Sequence, residues 1–194
     1  MHADQGRGRG RKRDAEATRA ALLEAAQDLF GRYSYEQVTL REIGQQAGVD
    51  GSLIARYFGS KAALHKAAVD KDSWQVGSEL ATDFVSFAME ALRRVDQRQT
   101  PGPLVQALLL STSDDAARGT AAEEVRSRLV EPLTEQLAAE GVSDPAMRAE
   151  TLMACLVGVI ALRSSGMFAA LSAASPEQLS SLLALLSAEE PTAT

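Results

Sequence analysis

Few residues in this chain are of a type that does covalent or acid–base chemistry at neutral pH. His2 and His65 are the only histidines and Cys155 is the only cysteine. His2 lies in a charged terminus and Cys155 in an apolar helical run. No Ser-His-Asp spacing, metal-ligand cluster or phosphate loop is present. No catalytic residue, cofactor or metal is therefore expected, and a small carboxylate-based enzyme is the least favoured reading. The residue types support contact with a polyanion instead. Residues 5 to 13, QGRGRGRKR, set Arg7, Arg9, Arg11, Lys12 and Arg13 among three glycines. A segment without apolar surface to bury is expected to be disordered when free. Such an arm, with Arg9, Arg11 and Arg13 as its contacts, suits the narrow minor groove of A·T-rich DNA; the plainer alternative is a solubilising tail.

A second polyanion-facing group lies in residues 39 to 64, TLREIGQQAGVDGSLIARYFGSKAAL. Thr39 and Glu42 have the spacing of a capping box, which starts a helix at Leu40. Leu40, Ile43 and Ala47 share one face of it. Gly48 sits where that helix must end in a left-handed residue, and Asp50 is placed to cap a second helix with Ile54 and Phe58 inward. Ser60 starts a third helix carrying Leu64. Two helices crossing through a short Gly turn form a helix-turn-helix, whose second helix enters the major groove; a bare helical corner in a core has the same periodicity. The flanking residues favour the groove. Gly51, Ser52, Ala55 and Arg56 face away from Ile54 and are small or cationic. Lys61 follows the Ser60 cap, where a phosphate can meet helix N-terminal N–H groups.

The run Thr39, Ile43, Ala47-Gly48-Val49, Ile54, Tyr57-Phe58-Gly59-Ser60-Lys61 and Leu64 resembles the DNA-binding signature of the TetR (tetracycline repressor) family of transcriptional regulators, over roughly residues 18 to 66. The resemblance implies an all-α fold: an N-terminal three-helix DNA-binding domain and a C-terminal helical ligand-binding and dimerisation domain. It implies DNA contacts from Thr39, Gly51, Ser52, Ala55, Arg56, Tyr57 and Lys61. Ala55 and Gly51 depart from residues common in the family, so an operator sequence does not carry over.

Composition agrees with that architecture. Ala and Leu dominate, aromatics are 5% of the 194 residues, and no alternating β-branched run signals strands. No uninterrupted apolar stretch reaches the ~18 residues of a membrane span, and no secretory signal is apparent, so a cytoplasmic protein without a membrane partner is expected. The net charge of −6 is divided unevenly, with 11 Lys and Arg against 8 Asp and Glu up to Lys66, then 9 against 18. A basic reading end and an acidic remainder fit a two-part regulator. The expected divisions are a disordered basic arm at 1–14, a DNA-binding domain at 15–61, a ligand-binding and dimerisation domain at 62–188, and a flexible tail at 189–194.

Periodicity predicts a support helix from Ala17 to Tyr33 and a connector over 60–75. Further helices are expected from Gly77 to Val95, from Leu104 to Leu110, from Ser113 or Asp114 to Ala139 with a kink at Pro132, and from Ala146 to Leu162. A last helix is capped by Ser175 and begins with Pro176. The 146–162 segment is apolar nearly all round, and Leu179, Leu182, Leu183 and Leu186 form a second apolar stripe. Together they suggest a homodimer interface, which a palindromic DNA site with two half-sites requires. Trp74, Phe84, Phe87, Leu108, Met153 and Arg163 are candidate contacts for a hydrophobic effector of undefined identity, an assignment resting mostly on the resemblance; each also reads as plain core. The expected function is a ligand-responsive regulator, repressing from a palindromic operator. An architectural DNA protein without effector is the alternative.

Overall fold

The computed structural model describes residues 5–77, 83–109, 122–123 and 125–187; side chains are described from Arg13, to Asp72 in the fourth helix and to Leu186 in the last. Every regular element among them is a helix. In chain order these are α1 (Gln5–Arg32), α2 (Leu40–Ala47), α3 (Leu53–Phe58), α4 (Lys61–Gly77), α5 (Phe84–Arg98), α6 (Pro103–Leu109), α7 (Glu131–Ala139), α8 (Pro145–Ser164), α9 (Ala169–Ala173) and α10 (Pro176–Ser187).

Two cores are built from them. Leu22, Ala26, Phe30, Val38, Ile43, Ile54, Leu64 and Ala68 close the first, between α1, α2, α3 and the start of α4. Val69 opens the second, with Phe84, Phe87, Leu92, Leu104, Leu133, Leu152 and Leu156. One helix, α4, thus serves both cores, changing allegiance between Ala68 and Val69. α1 also packs on α6, α10 lies along α5, and α7 lies along α8.

Several expected boundaries move, each for a local reason. The backbone from Gln5 to Arg13 is helical, as the start of α1. Extending an existing helix avoids the nucleation penalty, and Arg, Lys and Gln are good helix formers, while Gly6, Gly8 and Gly10 each weaken this first stretch by about 1 kcal/mol relative to Ala. Gly77 ends α4 instead of opening the next helix, because Asp83 caps α5 by accepting the Ser86 N–H at 2.8 Å. α5 runs on to Arg98 and stops where Gln99 turns left-handed at φ 56. Before Pro132, the expected kink takes the form of a widened π turn, Arg126–Val130, where the Glu131 N–H reaches the Arg126 carbonyl. A proline ring crowds the carbonyl four residues back, and the wider turn relieves it. Ser175 caps α10 as expected, in a reciprocal pair with Gln178: Gln178 N–H to Ser175 Oγ at 3.2 Å and Ser175 N–H to Gln178 Oε1 at 2.8 Å. The short α9 has no counterpart in the predicted elements. The predicted start at Ser113 or Asp114, Leu110 and the tail at 189–194 lie outside the described residues.

α8 is long and apolar enough to cross a membrane by length and composition alone. Its Ala149, Leu152, Met153, Leu156 and Ile160 are buried in the second core instead. Leu162 on α8 and Leu182, Leu185 and Leu186 on α10 stay exposed in the single chain, Leu185 at 72%. The apolar stripe of α10 therefore splits, with Leu179 and Leu183 turned inward and the others left uncovered.

Candidate nucleic-acid interface and cavity

The turn between α2 and α3 is fixed by backbone chemistry. The capping box forms in full: Thr39 N–H to Glu42 Oε2 at 2.8 Å, and Glu42 N–H to Thr39 Oγ1 at 3.2 Å. These bonds, led by the Thr39 hydroxyl, hold the exposed Glu42 carboxyl below its ordinary range. α2 ends at Gly48 with φ 68, and the Val49 N–H returns to the Gly44 carbonyl at 2.9 Å. Asp50 then accepts the Ser52 N–H at 2.7 Å, which lowers its own pKa; the expected cap falls earlier than the helix, since the residue that precedes α3 is Ser52, whose side chain makes no cap bond.

The turn that leads into α3 packs on α2 at unusually close range. A Cβ on Gly51 would stand 2.4 Å from the Leu40 carbonyl oxygen, and one on Gly44 would stand 2.5 Å from the Gly51 nitrogen. Gly51, expected as part of the groove-facing surface, is thus needed for its lack of a side chain against α2. Gly44 was missed in sequence, where a mid-helix glycine reads only as a weak helix former. Ala47, expected on one face with Leu40 and Ile43, is half-buried against the first core.

Ser52, just before α3, and Ala55 and Arg56 on it are exposed, while Ile54 is fully buried. Tyr57 and Phe58 are half-buried. The Arg56 guanidinium stands 5.7 Å from the Tyr57 ring, and that of Arg19 stands 4.7 Å from the Phe58 ring. Phe58 is thus roofed by a cation from α1 and not sealed in the core. Arg41 and Gln45, exposed one turn apart on α2, border the same shallow depression as Ser52. Sequence reasoning passed over both, although their spacing opposite Ile43 put them on the outer face.

Lys61 begins α4 beside Ser60, whose Oγ accepts the Ala63 N–H at 3.0 Å. Its ammonium donates to the Tyr35 carbonyl and sits 4.3 Å from the Tyr35 ring centre. Burial lowers its pKa, against the opposing pull of Glu36 and Glu42. Its charge is thus held at the helix start by Tyr35. Thr39 is exposed, its hydroxyl engaged in the cap. Arg13 is exposed on α1, while the side chains of Arg9 and Arg11 lie outside the described residues. His65 is core, edge-on to Phe30 at 4.7 Å.

A cavity of about 60 Å³ lies in the second core. That is room for a few waters and well short of a drug-sized molecule. Phe87, Leu108 and Met153, three of the candidate effector contacts, are in its lining. Phe84 does not; it is buried beside Phe87, ring centres 6.4 Å apart. Arg163 lies elsewhere, gripping the Asp96 carboxylate at 2.8 and 2.9 Å and donating to the Leu171 and Ala174 carbonyls, so it ties α8 to α5 and the α9 turn. The Trp74 side chain lies outside the described residues.

Three charged residues line the cavity that sequence reasoning did not find: Asp72, Arg94 and Arg98. Asp72 is on α4 and 6% exposed at its side chain. Its Oδ1 accepts from Arg98 Nη1 at 2.6 Å, and its Oδ2 accepts the Leu104 N–H at 3.2 Å. Gly102, at φ 90, leaves room for that carboxylate, since a Cβ there would lie 2.8 Å from Oδ2. The same corner touches the end of α1: a Cβ on Gly31 would meet Thr100 Oγ1 at 3.1 Å, and Gln106 Nε2 donates to the Gly31 carbonyl at 3.3 Å. The available signal was the stripe Ala91, Arg94, Val95 and Arg98 on one face of α5.

The two parts of the fold have separate counterparts among known proteins. Residues 22–68 match the family described as bacterial regulatory proteins, tetR family. Residues 79–186 match the tetracyclin repressor-like C-terminal domain. The HTH-type transcriptional regulatory protein RaaS of Mycobacterium tuberculosis is 40% identical over 70 residues, 36% of this chain. The match spans only 32% of that relative's length. NalD, the secondary repressor of the MexAB-OprM multidrug efflux pump in Pseudomonas aeruginosa, superposes with a TM-score of 0.64 at 18% identity, over 88% of this chain and 93% of its own. The fatty acid degradation regulator FadR of Bacillus halodurans gives 0.68 at 16%, over 89% and 99%. At such identities the likeness is one of fold. With both parts matched, and the second over more than half of its length, the chain belongs to the TetR family of bacterial transcriptional regulators.

Proposed function

We propose that this regulator is a homodimeric repressor in the cytoplasm that binds a palindromic operator and lets go when a small hydrophobic effector enters the α4–α5–α6–α8 cavity. The observation that carries the reading is the place of Asp72. It lines the cavity and ties α4, the helix that begins in the DNA-reading unit, to Arg98 and to the Leu104 N–H. Because the cavity is smaller than an effector, occupancy has to part its walls, and α4 is one of them. The effector's differential affinity for the parted state then sets how far operator binding shifts.

Dimerisation is supported by the uncovered Leu162, Leu182, Leu185 and Leu186. Two copies joined there would present two α3 helices, and a changed α4 angle would spoil the roughly 34–36 Å spacing between consecutive major grooves. Arg56 on the exposed face of α3 is the best placed side chain for a bidentate guanine contact. Lys61, Thr39, Ser52, Ala55 and Tyr57 supply the further contacts to the operator on this reading. The basic residues Arg9, Arg11 and Arg13 add phosphate or minor-groove attraction.

Footprinting on DNA upstream of the encoding gene, followed by a thermal-shift screen of hydrophobic compounds, tests the reading. Stabilising compounds should displace the protein from the footprinted site. Compounds that stabilise it and leave operator binding unchanged would refute the effector mechanism.

A further inference from the structure

α3 is held in place at few points. It is six residues long, and Ser52 before it makes no side-chain cap bond. A helix of that length has almost no stability of its own. Ile54 is its fully buried side chain, and Leu53, Tyr57 and Phe58 are partly buried against the first core. One deep anchor acts as a pivot, fixing where the helix sits more firmly than how it is rotated. At the entrance the rotation is limited by Gly51, where a Cβ would stand 2.4 Å from the Leu40 carbonyl oxygen. At the exit the chain leaves through Gly59 at φ 84, its N–H on the Ala55 carbonyl at 3.0 Å, and a glycine offers no side chain to brace that end. The brace comes from another helix. The Arg19 guanidinium, on α1, stands over the Phe58 ring at 4.7 Å from its centre.

Arg19 is exposed and Phe58 half-buried, so the guanidinium lies over a ring at the protein surface. A cation at this range is attracted by the negative face of the ring. Phe58 follows Arg56 by two residues on a helix of fewer than two turns. Whatever turns Phe58 about the helix axis turns Arg56 with it and shifts the Arg56 guanidinium relative to a base edge. On the reading that α3 enters the groove with Arg56 at a base, we propose that Arg19 is a positioning residue for operator reading. It holds the exit of α3 through the Phe58 ring and so sets the direction of Arg56, without touching DNA itself. An arginine that met phosphate would leave a different signature, since phosphate contacts strengthen binding to every sequence and steepen its salt dependence.

Affinities for the footprinted operator and for random duplex, measured by anisotropy over a range of salt with the whole chain, test the assignment. The variants are Arg19→Met, Arg19→Lys, Phe58→Leu and the double Arg19→Met/Phe58→Leu, each checked by circular dichroism melting, with Arg56→Ala as the control. Arg19→Met should lower the operator-to-random ratio about two- to fivefold, the size of an exposed cation–π contact. It should also flatten the base preference that Arg56 confers and leave the salt slope unchanged. Arg19→Lys keeps a cation over the ring and should recover most of the ratio. The double variant should lose no more than Phe58→Leu alone, because both changes remove the same contact. Equal loss on operator and random duplex, with a slope shallower by about 0.9, makes Arg19 a phosphate contact and overturns the proposal. Additive losses in the double variant, or a ratio that Arg19→Met leaves unmoved, overturn it as well. If Phe58→Leu does not melt as a folded protein, Arg19→Met against Arg19→Lys decides by the same ratio and slope. Base preference that survives Arg56→Ala would defeat the reading of α3 instead; where Arg56→Ala flattens it, failure belongs to Arg19 alone.

Discussion

Gly44→Ala should destabilise the DNA-reading unit, although intrinsic helix propensity forecasts the reverse. Replacing a mid-helix glycine by alanine ordinarily gains about 1 kcal/mol. Here the new methyl would lie 2.5 Å from the Gly51 nitrogen, 2.7 Å from its Cα and 2.8 Å from the Val49 carbonyl oxygen. All three are backbone atoms and cannot swing aside as a side chain does. Ordinary contact at 3.4 Å requires α2 and the α3 turn to part by about 0.9 Å. Overpacking of this kind costs about 1–3 kcal/mol, and a backbone obstacle puts it at the upper end. Setting about 3 kcal/mol against the propensity gain of about 1 leaves roughly 2 kcal/mol of destabilisation. At about 2–4 °C per kcal/mol for a chain of this size, Tm should fall by about 4–8 °C. Operator affinity should fall too, because α3 is displaced relative to α2. Gly48→Ala supplies the contrast: its Cβ meets nothing within 4 Å, so only the strain of φ 68 acts and α3 keeps its place. Melting by circular dichroism and operator anisotropy measure both effects. A Gly44→Ala protein with raised Tm and full operator affinity would refute the close crossing.

Arg56→Ala should cost about 1–3 kcal/mol on the operator and flatten preference at one base pair per half-site, as read by anisotropy on a substituted operator series. Leu185→Glu should yield a folded monomer in sedimentation, since that side chain is 72% exposed in the single chain; Leu156→Glu should unfold the protein instead, because Leu156 is 3% exposed within its own core. For Glu42 the folded pKa lies below the ordinary value of 4.5, so the unfolded state binds the proton first. Its contribution is present above that value and lost as pH falls through the folded pKa; Glu42→Gln should flatten this limb in acid melts.

The reading unit was largely legible because its signals are local. Thr39 with Glu42, Gly48, Asp50 with Ser52, and Ser60 each fix the backbone within a few residues, so the elements follow from adjacent side chains. The crossing itself was not legible. Gly44 and Gly51 matter for what they touch across a turn, and sequence spacing carries no distance between helices. In the second core, helical character and the Pro132 distortion could be read, but the polar wall of the cavity could not. Asp72 meets Arg98 and Leu104 across separations of 26 and 32 residues. Arg163, read in sequence as a ligand contact at the end of an apolar run, braces Asp96, 67 residues away, and is not part of the cavity lining. The apolar stripe of α10 could be read in sequence but not its rotation, which decided that Leu182 and Leu186 stand outside while Leu183 turns in.

The central claim, that effector and operator compete through α4, is tested most directly by measuring the coupling from both sides. Calorimetry would give the affinity of a releasing compound for the free dimer and for the operator-bound dimer, and anisotropy the operator affinity with and without that compound. Linkage requires the two ratios to agree, and a working switch of this kind should give about 5–150-fold. Equal ligand affinity for free and operator-bound protein would contradict the account.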